Sequence, residues 1–244
     1  MDQHPGDAEL ASRLGELRER IANASSRGLG QEVTLLCVTK QASDSFVWSL
    51  YRAGERHFGE NYLQAARRRN WPADSVLHMI GSLQQNKARA ASRFFDVIES
   101  VDRPGLLAQM DLASHVAPVA TSALGSSHTR AFSLSPRFLL QLNLTGDETR
   151  RGVSPEVAKR WLSLLSEIEA AHLDGLMMVA DPALSPEARR PSFAQLFSLA
   201  CEWRREYSME LPVLSMGMSA DFEIAVEEGA TEVRLGTALG VERH

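Results

Sequence analysis

The chain is poor in the features that mark several large function classes. It has two cysteines, Cys37 and Cys201, in 244 residues. They form no CxxC pair and their number gives no disulfide framework, so a reducing, cytoplasmic setting is the simpler expectation. No apolar run approaches the roughly 20 residues that a bilayer-spanning helix needs, so no membrane partner is expected. The opening residues, MDQHPGDAEL, include acidic side chains and no hydrophobic signal core, so no secretion leader is expected. Basic charge is not in excess: 31 acidic residues against 26 basic ones give a net charge of -5. That argues against nucleic-acid binding driven by overall charge. There is no HExxH, no closely spaced His/Cys cluster and no P-loop, and the seven histidines are scattered. No metal site is expected.

What is present is an ordinary globular composition, 44% hydrophobic and 23% charged. Leu10, Leu14, Leu17 and Ile21 recur at helical spacing, so residues 7–25 read as an amphipathic helix. Strand-like and helix-like segments then alternate. Strands are expected at Val33–Thr39, His57–Gly59, Leu77–Gly81, Asp96–Ser100, Arg137–Leu144, Leu173–Val179, Pro212–Ser215 and Thr231–Gly236. Between them come helices, among them Ser43–Ala53, stopped by Gly54, one opened by Ser154-Pro155, and Ser219–Glu228, ending at Gly229. Eight strands alternating with helices predict an α/β fold, a single (β/α)8 TIM barrel over residues 1–244 with an extra N-terminal helix. A doubly wound open sheet is the runner-up. Residues 114–136, rich in Ser, Ala and Thr, break the rhythm and read as a long inserted surface loop.

In such a barrel, chemistry gathers at the carboxyl ends of the strands. Lys40 follows the first. "SMGMS" follows the seventh, and Ser219 is expected to cap the next helix, whose amino end attracts phosphate. Gly236-Thr237 follows the eighth, and the two loops read either as a phosphate cradle of the kind such loops build or as a plain helix cap and a loop glycine. Strand alternation puts Glu232 and Arg234 on the interior face. A buried arginine needs a partner: Glu232 or another interior acid, or a ligand in the mouth. The same alternation groups Leu36, Val38 and Lys40. A lysine amine there can form a Schiff base with a carbonyl. His57 and His78 read as satisfied core residues. Lysine, phosphate cradle and inward arginine together suggest pyridoxal 5'-phosphate (PLP).

The blocks "LLCVTK", "RHFGENYLQ", "LHMIGSLQQNKAR", "DVIESVDR", "GLMMVA" and "SMGMSADFEIAVEEGATEVRLGTALG" resemble the pyridoxal phosphate homeostasis protein family, similar to a lone alanine racemase N-terminal barrel. The resemblance runs from about residue 33 to 240. It implies that Lys40 holds PLP as a Schiff base and that Arg234 lies beside the pyridine nitrogen. It places Ser219, Gly236 and Thr237 at the phosphate, and Asn61, Ser215 and Met216 around the cofactor pocket. Members often carry a second basic residue where this chain has Ala42.

The resemblance further implies a non-catalytic, cytoplasmic protein of PLP (vitamin B6) and amino-acid homeostasis, with PLP-dependent apo-enzymes as expected recipients. A monomer or weak dimer is expected. Two other readings stand beside it. One is a PLP-dependent amino-acid racemase-like enzyme, although the chain has only Tyr51, Tyr62 and Tyr207 to offer as a base. The other is a barrel enzyme that uses Lys40 on a phosphorylated sugar without PLP.

Overall fold

The structure, a computed structural model, describes residues 6–110, 136–165 and 173–241. Helix α1 (Asp7–Arg27) comes first, followed by β1 (Thr34–Val38), α2 (Asp44–Arg52), β2 (His57–Glu60), α3 (Leu63–Arg68) and β3 (Val76–Met79). Then come α4 (Ala88–Ser92), β4 (Val97–Val101), α5 (Pro104–Gln109), β5 (Arg137–Leu142), α6 (Pro155–Leu165) and β6 (Leu173–Met178). The last elements are α7 (Arg190–Tyr207), β7 (Val213–Met218), α8 (Phe222–Glu227) and β8 (Glu232–Leu235). Of the expected 114–136 loop, all but Pro136 lies outside the described residues.

The eight strands are parallel, pair in chain order and close into a barrel. Closure rests on the β1/β8 pairing, with Leu36 opposite Arg234 and Thr34 opposite Glu232. That pairing removes the open-sheet alternative. The expected cap at Ser154 is in place, its Oγ accepting from the Val157 N–H at 3.4 Å, and Ser43, expected as the first helical residue, proves to be a cap too, its Oγ accepting from the Phe46 N–H at 3.2 Å. Each satisfies one orphan donor of a helix start.

Strand alternation sorts the side chains into two bodies. Leu35, Cys37, Phe58, Ile98, Leu176, Val233 and Leu235 face outward and join the helices in one large apolar core. Inside the barrel the apolar cluster is small, with Val97, Leu139 and Met177 as its buried members. Helix α1 lies over the seam where the barrel closes. Its buried stripe of Leu10, Leu14, Leu17 and Ile21 belongs to the outer core. Arg20 and Arg27 pair with Glu223 and Glu227 of α8 at 3.0 and 2.7 Å.

One boundary differs from expectation in a way that shapes the mouth. Strand β7 runs on to Met218, and α8 begins only at Phe222. Ser215 pairs with Glu232 and Met218 with Arg234, so β7 carries one extra residue against β8. Gly217 takes φ +89°, the left-handed conformation that such a bulge uses and that glycine adopts without strain.

Candidate functional site at the barrel mouth

A cavity of about 350 Å³ opens among residues that follow or end the strands. That volume suits a small-molecule site. Its polar wall is Lys40, Gln41, Asn61, Arg234, Gly236 and Thr237, and its apolar wall is Val38, Ile80, Met177, Val179, Met218 and Val241. Thus five of the residues singled out from the sequence, Lys40, Asn61, Arg234, Gly236 and Thr237, share one cavity.

Lys40 stands in the turn after β1 and is exposed at the mouth. The turn beneath it is fastened from behind. Arg69 donates to the Ala42 carbonyl at 2.9 Å and pairs with Asp44 at 3.4 Å. Thr39 donates to the buried Glu60 at 2.9 Å. Burial pushes the Glu60 carboxyl up, against the pull of Arg69 and Thr39. Ala42 is itself buried among the outer-core residues, so the methyl at this position faces away from the cavity.

Asn61 is brought to the wall by the end of β2. The β3 loop crosses its backbone so closely that a side chain on Gly81 would overlap the Asn61 main chain. Ser100 at the end of β4 donates to the Gly81 carbonyl at 2.6 Å, tying the three loops together.

Arg234 is 5% exposed. One terminal nitrogen donates to Ser215 Oγ at 2.6 Å and the other to the Met178 carbonyl at 2.7 Å. Its direct acceptors are therefore a hydroxyl and a main-chain oxygen, and the interior acid sits one step further: Ser215 Oγ donates to Glu99 Oε2 at 2.6 Å. Ser215 stands behind the wall as the support of Arg234. Met216, one position on, has the opposite parity and packs in the outer core.

Ser219 does not cap α8. Its Oγ instead accepts from the main-chain N–H groups of Gly236 and Ala238, at 3.3 and 3.1 Å, and so joins the β7 loop to the β8 loop. Asp221 holds the turn: it accepts from the Met218 N–H at 2.6 Å and from Arg189 at 2.7 Å. The bulge at Gly217 explains the difference, because the chain is still in strand where a helix was expected to start.

Sequence reasoning missed Glu99. A carboxylate in the middle of the apolar run "DVIESV" was the available signal. Glu99 accepts from His78 Nδ1 at 2.8 Å, and His78 Nε2 lies 3.0 Å from His57 Nδ1. Among the described residues His57, His78 and Glu232 bring metal-capable atoms within 4.8 Å of one another. The 3.0 Å between the two imidazole nitrogens is a hydrogen-bond distance, and it accounts for that contact without an ion.

The cavity wall fits a flat, anionic aldehyde: an amine for the carbonyl, a guanidinium for a ring nitrogen or an oxyanion, and the Thr237 hydroxyl beside the open face of Gly236 for a phosphate. Comparison with known proteins agrees in kind. The family model described as "Alanine racemase, N-terminal domain" matches residues 12–242. A pyridoxal phosphate homeostasis protein of Aquifex aeolicus is 35% identical, covering 95% of this chain and 97% of its own length. One from Pseudomonas aeruginosa is 33% identical, covering 94% of each. The structure of PipY from Synechococcus elongatus with PLP bound superposes with a TM-score of 0.76 at 32% identity, over 94% of this chain and 99% of that one. The alanine racemase of Corynebacterium glutamicum shares the fold at TM-score 0.63 and 19% identity, over 91% of this chain and 60% of its own. The chain thus belongs to the pyridoxal phosphate homeostasis family of alanine racemase N-terminal-like barrels.

Proposed function

We propose that this chain binds PLP in the mouth of the barrel, holds it as a Schiff base on Lys40, and serves cytoplasmic PLP and amino-acid homeostasis without robust catalysis. The observation that carries the reading is that Lys40 and Arg234 line one cavity of about 350 Å³. When bound, PLP supplies an aldehyde that condenses with an amine and a pyridine ring that draws electrons. Lys40 supplies the amine. Of the chain's three lysines it alone lines the cavity: Lys87 lies in the short turn Gln85–Lys87, and Lys159 pairs with Glu202 at 2.6 Å on the outer helices. The loop pair joined by Ser219 presents Gly236 and Thr237 to the phosphate. Asn61 and the apolar wall hold the ring flat.

Two features support weak catalysis. Arg234 beside the ring nitrogen disfavours protonation there, because a second positive charge would form next to the first. None of the three tyrosines lines the cavity, and Tyr62, nearest the mouth in sequence, is 65% exposed. A protein that binds PLP through an exposed lysine at an open mouth suits loading and unloading, with PLP-dependent apo-enzymes as recipients and a monomer or weak dimer as the acting form.

The test is an absorption spectrum with added PLP, before and after borohydride, followed by peptide mapping. A visible band trapped covalently on the Lys40 peptide, and lost in Lys40→Ala, is the expected result. A colourless wild type that takes up no PLP overturns the reading. Turnover of free amino acids at enzyme-like rates would overturn the non-catalytic part alone.

A further inference from the structure

A run of hydrogen bonds crosses the barrel interior from below the cavity to its floor. His57 of β2 meets His78 of β3 at 3.0 Å, and His78 Nδ1 donates to Glu99 of β4 at 2.8 Å. From the other side Arg234 of β8 donates to Ser215 of β7 at 2.6 Å, and Ser215 donates to Glu99 at 2.6 Å. Donation therefore converges on Glu99 from both ends, and both carboxylate oxygens are used. Glu99 is 0% exposed. Burial alone would push its carboxyl up, but the His78 bond and charge, the Arg234 charge and the Ser215 bond outweigh it and hold it below the ordinary value. A buried carboxylate with full donors is a fixed negative centre. The other groups that face it are Glu232 of β8, which lies 3.7 Å from His78 and also feels the Ser215 hydroxyl and the Arg234 charge, and, acting on His78 from β5, Arg137.

The polarity of Ser215 follows. Its proton points to Glu99, so its lone pairs face Arg234. Together with the Met178 carbonyl, that hydroxyl fixes the plane of the guanidinium at the cavity wall. We propose that Glu99 is a positioning residue for the cofactor pocket: through Ser215 it sets both the pose and the net charge that Arg234 presents to the bound ring. The proposal rests on the PLP reading of the cavity. Glu99 does not line the cavity; it acts one bond behind its wall.

The experiment compares wild type, Glu99→Gln, Ser215→Ala and Ser215→Thr, each loaded with PLP. Thermal unfolding checks that each is folded. Two quantities are read: PLP affinity by absorbance titration, and the pH midpoint of the visible band. Glu99→Gln keeps shape and removes the charge. Arg234 then presents a less compensated positive charge, which disfavours the protonated Schiff base, so the midpoint falls by about half a unit or more. Ser215→Ala leaves Arg234 without its anchor and weakens affinity about threefold or more, and Ser215→Thr, which keeps the hydroxyl, restores it. A merely structural role moves neither midpoint nor hydroxyl rescue. If Glu99→Gln does not fold, the Ala/Thr pair at Ser215 decides, through affinity and its rescue. Folded variants with wild-type midpoint and affinity overturn the inference and leave the PLP reading standing. A wild type that takes up no PLP overturns both.

Discussion

Gly236 takes φ -127°, which any residue adopts, and a Cβ built on it would find its nearest protein atom, Val38 Cβ, at 3.4 Å. The protein itself leaves room for alanine; the space matters to whatever enters the cavity. Gly236→Ala is therefore expected to keep the wild-type melting temperature within a few degrees while weakening PLP uptake severalfold. Gly217 is the contrast. It has φ +89°, and its added Cβ would lie 2.6 Å from Ala225 Cβ. Gly217→Ala is expected to lose ~1–3 kcal/mol of stability, with binding impaired as a consequence. Thermal unfolding beside absorbance titration separates the two. A destabilised Gly236→Ala, or a Gly217→Ala as stable as wild type, would contradict the geometry. At this scale the sequence was informative where a two-residue period decides the outcome. Arg234 could be aimed inward from the parity of Val233 and Leu235 alone, whereas Lys40 lies two residues past the end of β1 and reaches the cavity wall from the turn. Ser219 could not be placed, because its partners, the N–H groups of Gly236 and Ala238, come from a loop that only the folded barrel brings near.

The elements differ in what holds them. Helix α1 is joined to the barrel by an apolar stripe and by surface ion pairs, and the two kinds of contact should count very differently. Leu14 is 1% exposed within the outer core. Leu14→Ala is expected to cost ~2–4 kcal/mol through lost burial and the cavity left behind. The Arg52–Asp7 pair, 3.0 Å long, has side chains 57% and 65% exposed. Arg52→Ala is expected to cost far less than Leu14→Ala, since solvent screens the pair and ordering two side chains opposes it. Urea unfolding of both variants checks the order, and a larger loss for Arg52→Ala would reverse it. Strands and capped helices were legible because their signals are local: alternation for β1 and β8, Ser43 and Ser154 for the starts of α2 and α6. The start of α8 was not. Its serine, Ser219, looks like a cap, but the bulge at Gly217 carries β7 on to Met218 and moves the helix three residues along.

At the scale of the molecule the unusual feature is a barrel whose interior holds His57, His78, Glu99, Ser215, Glu232 and Arg234 around a small apolar cluster. Eight strand-helix units made closure a reasonable expectation, but the interior network could not be read from the chain. Its members lie 21, 116 and 19 residues apart in successive bonds, and only the strand registers bring them into line. Glu232 carries the clearest consequence. Its Oε1 is buried without a hydrogen-bond partner, and burial, followed by repulsion from Glu99, pushes the carboxyl up to about 7 from 4.5. Between those values the folded chain keeps a proton that the unfolded chain has released. The stabilisation from the protonated group is thus full below pH 4.5 and is lost as pH rises towards about 7. Glu232→Gln keeps the shape and cannot ionise, so it escapes that loss. His57, lowered to about 4 by burial and by His78, acts in the opposite sense, its contribution fading as pH falls from 6.5. Because His57 is common to both proteins, its effect cancels in their difference to first order. Urea unfolding at pH 5 and pH 8 should therefore show Glu232→Gln gaining on wild type by ~1–3 kcal/mol between the two pH values. A difference that stays constant with pH would mean that Glu232 is already ionised in the fold, and that the interior holds one more fixed negative charge beside Arg234 than its burial allows.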